Sequence, residues 1–184
     1  MKKIYLIAIL ILLESCISAL SSKKNIPLST YLEKKIHLLV NRERKKRGLK
    51  PLKWDKKLAK IAREHSEDMA RNNYFSHINK KGEGPDERAL RHHYKIERSK
   101  NGYILIGLGE NIFKTYTFSH YYVYPSDKRT YIYKTTEAIA SEIIEGWMHS
   151  KGHRKNILNA NFEKEGIGVF ITEDGEIYVT QDFF

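Results

Sequence analysis

Apolar residues near the start of the chain recur with the spacing of an amphipathic helix. Four of them fall at positions i, i+4, i+7 and i+8: Leu32, Ile36, Leu39 and Val40. Thr30 and Glu33 precede this stripe in a T-x-x-E pattern, which is typical of a capping box. The pattern predicts a first helix that runs to about Arg47 and is ended by Gly48.

Two further helical stretches follow the same rule. Asp55 is a good N-cap residue, and the helix behind it carries His65 on its apolar face, where we expect a core histidine bonded to backbone. A later amphipathic helix begins near Thr136 and should bury Trp147, because apolar residues recur there at four-residue steps. A short helix is predicted from His153 to Leu158.

The period of the pattern changes toward the C-terminus. Residues 166–171 and 176–180 are rich in β-formers and flank an Asp-Gly pair, which is a strong hairpin signal. Residues 103–108 are a third strand candidate, and residues 77–87 are predicted to be a loop because they contain two glycines and a proline. Helices followed by an antiparallel hairpin indicate the α+β class.

The first residues have the pattern of a secretory signal. Lys2 and Lys3 precede ten apolar residues, 4–13, which is about half the length that a membrane-spanning helix needs. Cys16 follows closely, with Leu13 three positions before it. This resembles a bacterial lipobox, although Glu14 departs from the strict pattern; an ordinary signal peptide is the alternative.

Export and acylation divide the chain into three parts. We predict a lipoprotein signal peptide, an acylated Cys16 with its tether, and one domain, over residues 1–15, 16–28 and 29–184. Acyl chains on Cys16 would anchor the protein to a membrane, and we expect an exported lipoprotein at the outer membrane or cell surface.

Composition narrows the classes of function. The chain has 184 residues, a soft prior for one domain, and 33 Lys and Arg against 22 Asp and Glu give it a charge of +11. This charge makes anionic glycans, membrane surfaces or nucleic acid plausible partners, but export disfavours nucleic acid. Because Cys16 is the only cysteine, an intramolecular disulfide is impossible.

Three segments place histidine or carboxylate beside glycine and aromatic residues. They are Tyr74-Phe75-Ser76-His77, Gly109-Glu110-Asn111-Ile112 and Trp147-Met148-His149-Ser150-Lys151-Gly152-His153. None of them is a metal motif such as H-E-x-x-H. In this order, together with Gly48-Leu49-Lys50-Pro51-Leu52 and Thr180-Gln181-Asp182-Phe183, they resemble the CAP superfamily of cysteine-rich secretory, antigen 5 and pathogenesis-related 1 proteins, in its disulfide-free bacterial branch and as a spirochaete-type surface lipoprotein.

The resemblance implies a fold and a site. The fold is an α-β-α sandwich with a small antiparallel sheet between helical layers. The site is a shallow cleft of two histidines and two acids, which map onto His77, Glu110 and His153, with Ser150 where the second acid is expected. His77 and His153 could bind a weak divalent cation such as Zn²⁺, although no cofactor is required. The missing acid disfavours catalysis.

Residues 115–133 look like an insertion into the family pattern. They hold six of the chain's twelve tyrosines, and their alternation predicts an added hairpin. The simpler interpretation is that these tyrosines cover the edge of the sheet. The alternative is a surface that binds a partner, since tyrosine supplies contact area with few rotatable bonds.

The resulting hypothesis is a lipid-anchored surface protein whose domain binds rather than catalyses. A sterol-like or other lipid ligand is the first candidate, and an anionic host macromolecule is the second. The alternative is a metal-dependent hydrolase or protease that uses His77, Glu110 and His153. A purely structural envelope protein is a third possibility.

Overall fold

The computed structural model describes residues 27–100 and 102–184, so the predicted signal peptide and Cys16 lie outside the described residues. The helices of the described part are α1 (Leu28–Lys45), α2 (Lys56–Arg71), α3 (Pro85–Arg91), α4 (Thr136–His149) and α5 (Lys151–Ile157). Its strands are β1 (Lys53–Trp54), β2 (Glu97–Lys100), β3 (Tyr103–Ile106), β4 (Gly109–Tyr116), β5 (Phe118–Val123), β6 (Arg129–Tyr133), β7 (Lys164–Ile171) and β8 (Glu176–Phe183).

A four-stranded sheet of order β1-β7-β8-β4 forms the centre of the domain. β7 and β8 are the antiparallel hairpin that the Asp-Gly pair predicts, and β4 pairs antiparallel with β8. The short strand β1 lies parallel to β7, with Lys53 opposite Lys164, so the sheet is not wholly antiparallel as expected. The connector after α1 enters the sheet edge from the same end as β7, which makes this pair parallel.

Helical layers cover both faces of the sheet, so the α+β class and the sandwich are confirmed. On one face, α2 lies directly on β7: a Cβ placed on Gly168 would come within 2.0 Å of the backbone nitrogen of Arg63. Only glycine permits this approach. On the other face, α1 packs against α4, and both contact the sheet.

The largest apolar cluster lies between the sheet and the α1–α4 layer. Trp147 is at its centre with 0% of its surface exposed, and its indole nitrogen donates to the carbonyl of Ile112 at 3.0 Å. The predicted burial of this side chain is therefore confirmed. The hydrogen bond also ties α4 to β4, which carries one residue of the predicted site.

Of the two helix caps that the sequence predicts, the one at Asp55 is present and the one at Thr30 is not. The Asp55 carboxylate accepts from the backbone nitrogens of Lys57 and Leu58 at 2.9 and 3.1 Å, as predicted. The capping box at Thr30 is wrong, because α1 already begins at Leu28 and has no side-chain cap. Glu33 instead accepts two hydrogen bonds from the Arg63 guanidinium, which links α1 to α2.

Two local assignments also need correction. The loop predicted over residues 77–87 ends early, because Pro85 begins α3 and the Glu87 carboxylate caps the backbone nitrogen of Gly84 at 2.9 Å. The strand predicted over residues 103–108 exists as β3, but it pairs with β2 in a hairpin of its own. The strand that enters the main sheet is β4, whose first residues match the family block around Glu110.

The tyrosine-rich segment forms the predicted hairpin, β5–β6, as a separate two-stranded sheet. The expectation that its tyrosines cover the sheet edge is wrong. Tyr122 and Tyr133 are exposed, and the hairpin leaves the main sheet beside the turn at Gly175, where the Thr117 nitrogen donates to the Gly175 carbonyl. Within the ranges that the structure describes, no helix is long and apolar enough to cross a membrane.

Candidate functional site

His77 and Glu110 meet at the end of the sheet where β4 begins. His77 lies in the loop after α2, and its Nδ1 is 2.7 Å from Oε1 of Glu110. Because a carboxylate oxygen only accepts, the Nδ1 proton donates, and in the neutral ring Nε2 is left as an acceptor. The side chain of His77 is 48% exposed, so the ring reaches solvent.

The second oxygen of Glu110 is bound by a residue that the sequence analysis missed. Arg88 of α3 donates from its guanidinium to Oε2 of Glu110, and the side chains of both residues are 2% exposed. Arg88 also donates to the backbone carbonyls of His77 and Glu83, at 2.8 and 3.0 Å. A buried arginine therefore neutralises Glu110 and fixes the loop that carries His77. Arg88 is the fourth residue of α3, and no sequence motif at that place indicates this role.

Two further ionisable groups surround Glu110. His65 is buried as predicted, and its Nε2 lies 3.1 Å from the Ser76 carbonyl and 4.0 Å from Oε2 of Glu110. Burial lowers the pKa of His65 to about 4, against a smaller opposing effect of the Glu110 charge, so the ring is neutral at neutral pH. Its environment is that of a core histidine.

Asp182 is a second acid beside Glu110, and no functional role for it was predicted from the sequence. It lies opposite Glu110 in the β4–β8 register and is fully buried. Burial and then the charge of Glu110 raise the pKa of Asp182 well above its usual value. Neither carboxyl oxygen of Asp182 has a hydrogen-bond partner among the described residues.

His153 is carried over the start of β4 by α5. The Asn111 amide donates to the His153 carbonyl at 3.2 Å, and the Asn156 amide donates to the Glu110 carbonyl at 3.0 Å. Burial lowers the pKa of His153, and the charge of His77 lowers it further. A common metal-binding geometry for the two imidazoles stays a prediction.

Ser150, at the expected place of a second acid, is the junction between α4 and α5. Its backbone carbonyl accepts from Arg154 at 2.9 Å, and its side chain does not cap α5. No contact found in the described ranges joins its hydroxyl to His77, Glu110 or His153. The acid that faces Glu110 is thus Asp182, a buried residue on the neighbouring strand β8.

The residues at the cleft do not fit a conventional divalent-metal site. Across residues 27–100 and 102–184, no group of three or more His, Cys, Asp or Glu side chains could hold a metal ion. Both oxygens of Glu110 already have donors, and the Arg88 cation in contact with one of them opposes a second cation. Two imidazoles remain, which is fewer than the three protein ligands of catalytic zinc sites.

A second polar network lies on the opposite face of the sheet. Glu165 of β7 is fully buried; its Oε1 is 2.5 Å from Nδ1 of His37, and its Oε2 accepts from the Gln181 amide at 2.5 Å. The Asn111 amide donates in turn to the Gln181 side chain at 3.1 Å. A continuous chain of hydrogen bonds thus connects α1 with the strand that carries Glu110. Neither His37 nor Glu165 belongs to a motif that marks it in the sequence.

Comparison with known proteins agrees with this architecture. Residues 38–183 match the model of the CAP family, described as the cysteine-rich secretory protein family. The chain belongs to this family. The matched region contains no cysteine, in keeping with the disulfide-free branch that the sequence resembles.

Relatives of this CAP domain occur in bacteria. The chain is 34% identical over 165 residues to an uncharacterized membrane protein, YlbC, of Bacillus subtilis, and the match covers 90% of this chain but 38% of that protein. A crystal structure of an extracellular SCP-domain protein from Bacillus anthracis superposes with a TM-score of 0.59 at 28% identity, covering 85% of this chain and 41% of the other. The chain therefore spans about two fifths of the length of these two relatives.

One structural neighbour is close to this chain in length. An outer surface protein from Borrelia burgdorferi superposes with a TM-score of 0.60 at 16% identity, covering 84% of this chain and 93% of the other. At this identity the likeness shows the shared fold alone. The spirochaete lipoprotein subtype stays a prediction.

Proposed function

We propose that this CAP domain is an exported, lipid-anchored binding module and that its histidine cleft does not catalyse hydrolysis. The observation that carries the second part is the state of Glu110. A general base must reach a water or substrate proton within about 3 Å. The Glu110 side chain is 2% exposed, and Arg88 and His77 occupy its two oxygens, so this carboxylate acts as a structural counterion.

Acylation of Cys16 supplies the anchor in this proposal. The lipobox-like position of the only cysteine supports it, together with the extracellular and outer-surface descriptions of the Bacillus anthracis and Borrelia neighbours. We expect the mature protein to partition into detergent and a Cys16→Ser variant to remain soluble or unprocessed. A free thiol at a mature N-terminus, detected by mass spectrometry, would refute the anchor.

A surface groove of about 650 Å³ supports the proposal that the domain binds a hydrophobic ligand. It lies where α1, β1 and α2 meet at the sheet edge, and its walls include Leu38, Trp54 and the His37 ring. Its volume falls within the range of about 300–1,000 Å³ that is usual for small-molecule sites. Lys34 and Arg63 border it and could orient a polar or anionic head group. We therefore place the proposed lipid or sterol-like ligand in this groove.

Trp54 makes the groove directly measurable. The chain has two tryptophans, and Trp147 is fully buried in the core, so a ligand in the groove should change mainly the emission of Trp54. Palmitate and cholesterol are the probes. We expect at least one of them to change the emission saturably, and a Trp54→Phe variant should lose the signal while still retaining the probe in equilibrium dialysis.

An exposed leucine on each of two helices provides a matched pair of variants. Leu38→Glu places a charge in the groove and should weaken binding at least about tenfold, because it opposes burial of an apolar ligand. Leu90→Glu, on α3, should leave binding unchanged. Equal binding by both variants, or no saturable binding of either probe, would refute the groove as the ligand site.

The hydrolase alternative has a separate test. A metal-dependent enzyme must lose turnover in His153→Ala and in the presence of a chelator. Peptidase or esterase activity with both properties would replace the binding proposal. We expect the unmodified protein to show no peptidase or esterase turnover above that of His153→Ala.

A further inference from the structure

The β5–β6 hairpin exposes an unusually aromatic surface. Its apolar and tyrosine side chains that are between 42% and 69% exposed are Tyr121, Tyr122, Val123, Tyr124, Ile132 and Tyr133. Ring contacts among Phe118, Tyr121 and Tyr131 hold the hairpin together at centroid distances of 4.8–6.1 Å. A two-stranded hairpin is marginally stable alone in water. Because side chains alternate along a strand, Tyr121 and Tyr133 lie on one face of this hairpin and Tyr122 on the other, so both faces expose aromatic rings. Large apolar side chains exposed at this density mark an interaction surface.

The described chain begins at the same end of the domain from which this hairpin projects. The hydroxyl of Tyr31, in the first turn of α1, lies 3.3 Å from the Glu137 carboxylate, and Glu137 is in the first turn of α4. The helix α4 follows β6 directly, and the Lys134 nitrogen donates to the Thr117 carbonyl at the base of the hairpin. The start of α1 and the base of β5–β6 are thus neighbours.

The histidine cleft lies at the opposite end. β4 starts at the cleft with Gly109 and Glu110 and ends at Tyr116, next to the hairpin. At about 3.3 Å per residue, the six steps from Glu110 to Tyr116 separate the two ends by about 20 Å. Eleven steps separate Cys16 from Pro27, which limits the distance from the acylated residue to α1 to about 40 Å.

The chemistry of the hairpin suits an anionic bilayer surface. Lys128 and Arg129 follow its turn, with Asp127 as the acid beside them, and the Arg129 guanidinium lies 5.3 Å from the centre of the Tyr121 ring. Tyrosine is enriched where membrane meets water because one end of its ring is apolar and the other is polar. Basic residues beside such rings are attracted to anionic lipid head groups.

A second exposed hairpin competes for this role. β2–β3 presents Tyr103, Ile104 and Ile106 to solvent near the cleft end, where β3 leads into β4. β2 has two basic residues, Arg98 and Lys100. Arg98 already stacks on the rings of Phe162 and Phe184 at 5.2 and 5.0 Å, so this guanidinium is engaged within the domain. Membrane contact through β2–β3 would reverse the orientation of the protein, which makes the two possibilities easy to separate.

We propose that the β5–β6 hairpin rests on the anionic head groups of the membrane that holds the lipid anchor, so that the histidine cleft faces away from the bilayer. The orientation rests on the proposed acylation of Cys16. The affinity of the hairpin for anionic lipid does not, because it depends only on residues 118–133.

The orientation is tested with the acylated protein in vesicles of phosphatidylglycerol and phosphatidylcholine. Because the only native cysteine is blocked by acylation, Tyr122→Cys and Ile104→Cys each provide one site for an environment-sensitive dye. We expect the dye at position 122 to shift to the blue and to be quenched at least about threefold more by nitroxide-labelled lipid than the dye at position 104. Equal quenching, the reverse order, or quenching of neither dye would overturn the proposal, and the last result would leave a protein partner for the hairpin.

The affinity is tested without the anchor, on the chain from residue 16 onward with Cys16→Ser. We expect it to sediment with phosphatidylglycerol vesicles but not with pure phosphatidylcholine, and Tyr122→Ser with Tyr133→Ser should weaken sedimentation at least about fivefold. Tyr103→Ser with Ile104→Ser is the matched control and should have no effect. If Cys16 proves unmodified while this binding persists, the anchor is refuted and the membrane-binding surface is supported. If Cys16 is acylated but the hairpin does not contact lipid, the anchor is supported and the membrane-binding surface is refuted.

Discussion

Neighbouring residues of β4 send their side chains to opposite faces of the sheet and into two different polar networks. Glu110 points toward α2 and is paired with a buried arginine and a histidine. Asn111 points toward α1 and α5 and connects through Gln181 to Glu165, whose other oxygen faces His37. Each network contains a buried glutamate. The first network pairs its glutamate with a full cation, and the second pairs it with an imidazole and an amide.

The two networks differ in the groups that compensate the buried charge of each glutamate. Glu110 is neutralised by one cation, Arg88, and lies beside a second acid, Asp182, whose pKa is raised by burial. Removal of the cation would leave a buried charge without compensation, which is far costlier than loss of one neutral hydrogen bond. The charge of Glu165 is instead distributed over two hydrogen-bond donors, the His37 ring and the Gln181 amide, and loss of either one leaves the other in place. The Glu110 network should therefore be the more fragile of the two.

The largest expected effect is that of Arg88→Met. It removes the cation but keeps much of the side-chain volume, and we expect a loss of about 3–5 kcal/mol in the free energy of unfolding. Urea denaturation measures it. Arg71→Met, which breaks an exposed pair with Glu67 on α2, is the control and should cost less than about 1 kcal/mol.

A double variant tests the cause of that loss. Adding Glu110→Gln to Arg88→Met removes the unpaired charge and should restore part of the stability. If the single variant costs less than about 1 kcal/mol, or if the double variant is no more stable than the single one, Glu110 does not depend on Arg88 as we infer.

The second largest effect is expected from acidification, which should destabilise the Glu110 network. His65 has a folded pKa of about 4, below the ordinary value of 6.5, so the unfolded chain binds more protons between these values. Stability should therefore be lost as the pH falls from about 6.5 to 4, by up to about 3 kcal/mol from this residue. Urea melts at several pH values measure the slope.

His65→Gln should flatten this slope, since its amide can still donate to the Ser76 carbonyl but does not titrate. His149→Gln changes an exposed ring and is the control substitution, which should leave the slope as it is. The slope is the diagnostic quantity because it is independent of any constant cost of the substitution. An unchanged slope in His65→Gln would assign the acid sensitivity to another group.

Glu165→Gln probes the second network and should have a smaller effect. A glutamine can accept from Gln181 with its oxygen and donate to Nδ1 of His37, which then changes tautomer. We expect a loss of about 1–2 kcal/mol and a change in the nitrogen NMR shifts of the His37 ring. A loss as large as that of Arg88→Met would contradict the contrast between the networks.

The sequence could predict the elements better than the partners of each polar side chain. Helical spacing and the Asp-Gly pair are local signals, so α2, α4 and the β7–β8 hairpin were predictable. The capping box at Thr30 failed because Glu33 gains more from Arg63, thirty residues away, than from a local cap. Arg88 and Asp182 gave no local signal, since their roles depend on a register that only the folded sheet creates. The family resemblance identified Glu110 but not the cation that neutralises it.

The smallest expected effect is that of Zn²⁺, and it completes the comparison at the cleft. Two imidazoles without a free carboxylate should bind the ion weakly, so about 100 µM Zn²⁺ should stabilise the protein by less than about 0.5 kcal/mol, or about 1–2 °C in Tm. His77→Ala and His153→Ala should each abolish this shift, whereas His65→Gln should retain it. Thermal melts with and without chelator measure it.

The pH dependence of this weak binding identifies the ligands. Both imidazoles must be neutral to coordinate the ion, so affinity should fall on acidification. Because burial and then the charge of His77 lower the pKa of His153, that ring should stay neutral and available to the ion below the ordinary histidine range. A Zn²⁺ shift of several degrees that survives His77→Ala would place the ion elsewhere, with the His37 and Glu165 pair as the next site to test. A shift of that size that is lost in both alanine variants would show that the cation of Arg88 does not oppose metal binding at the cleft.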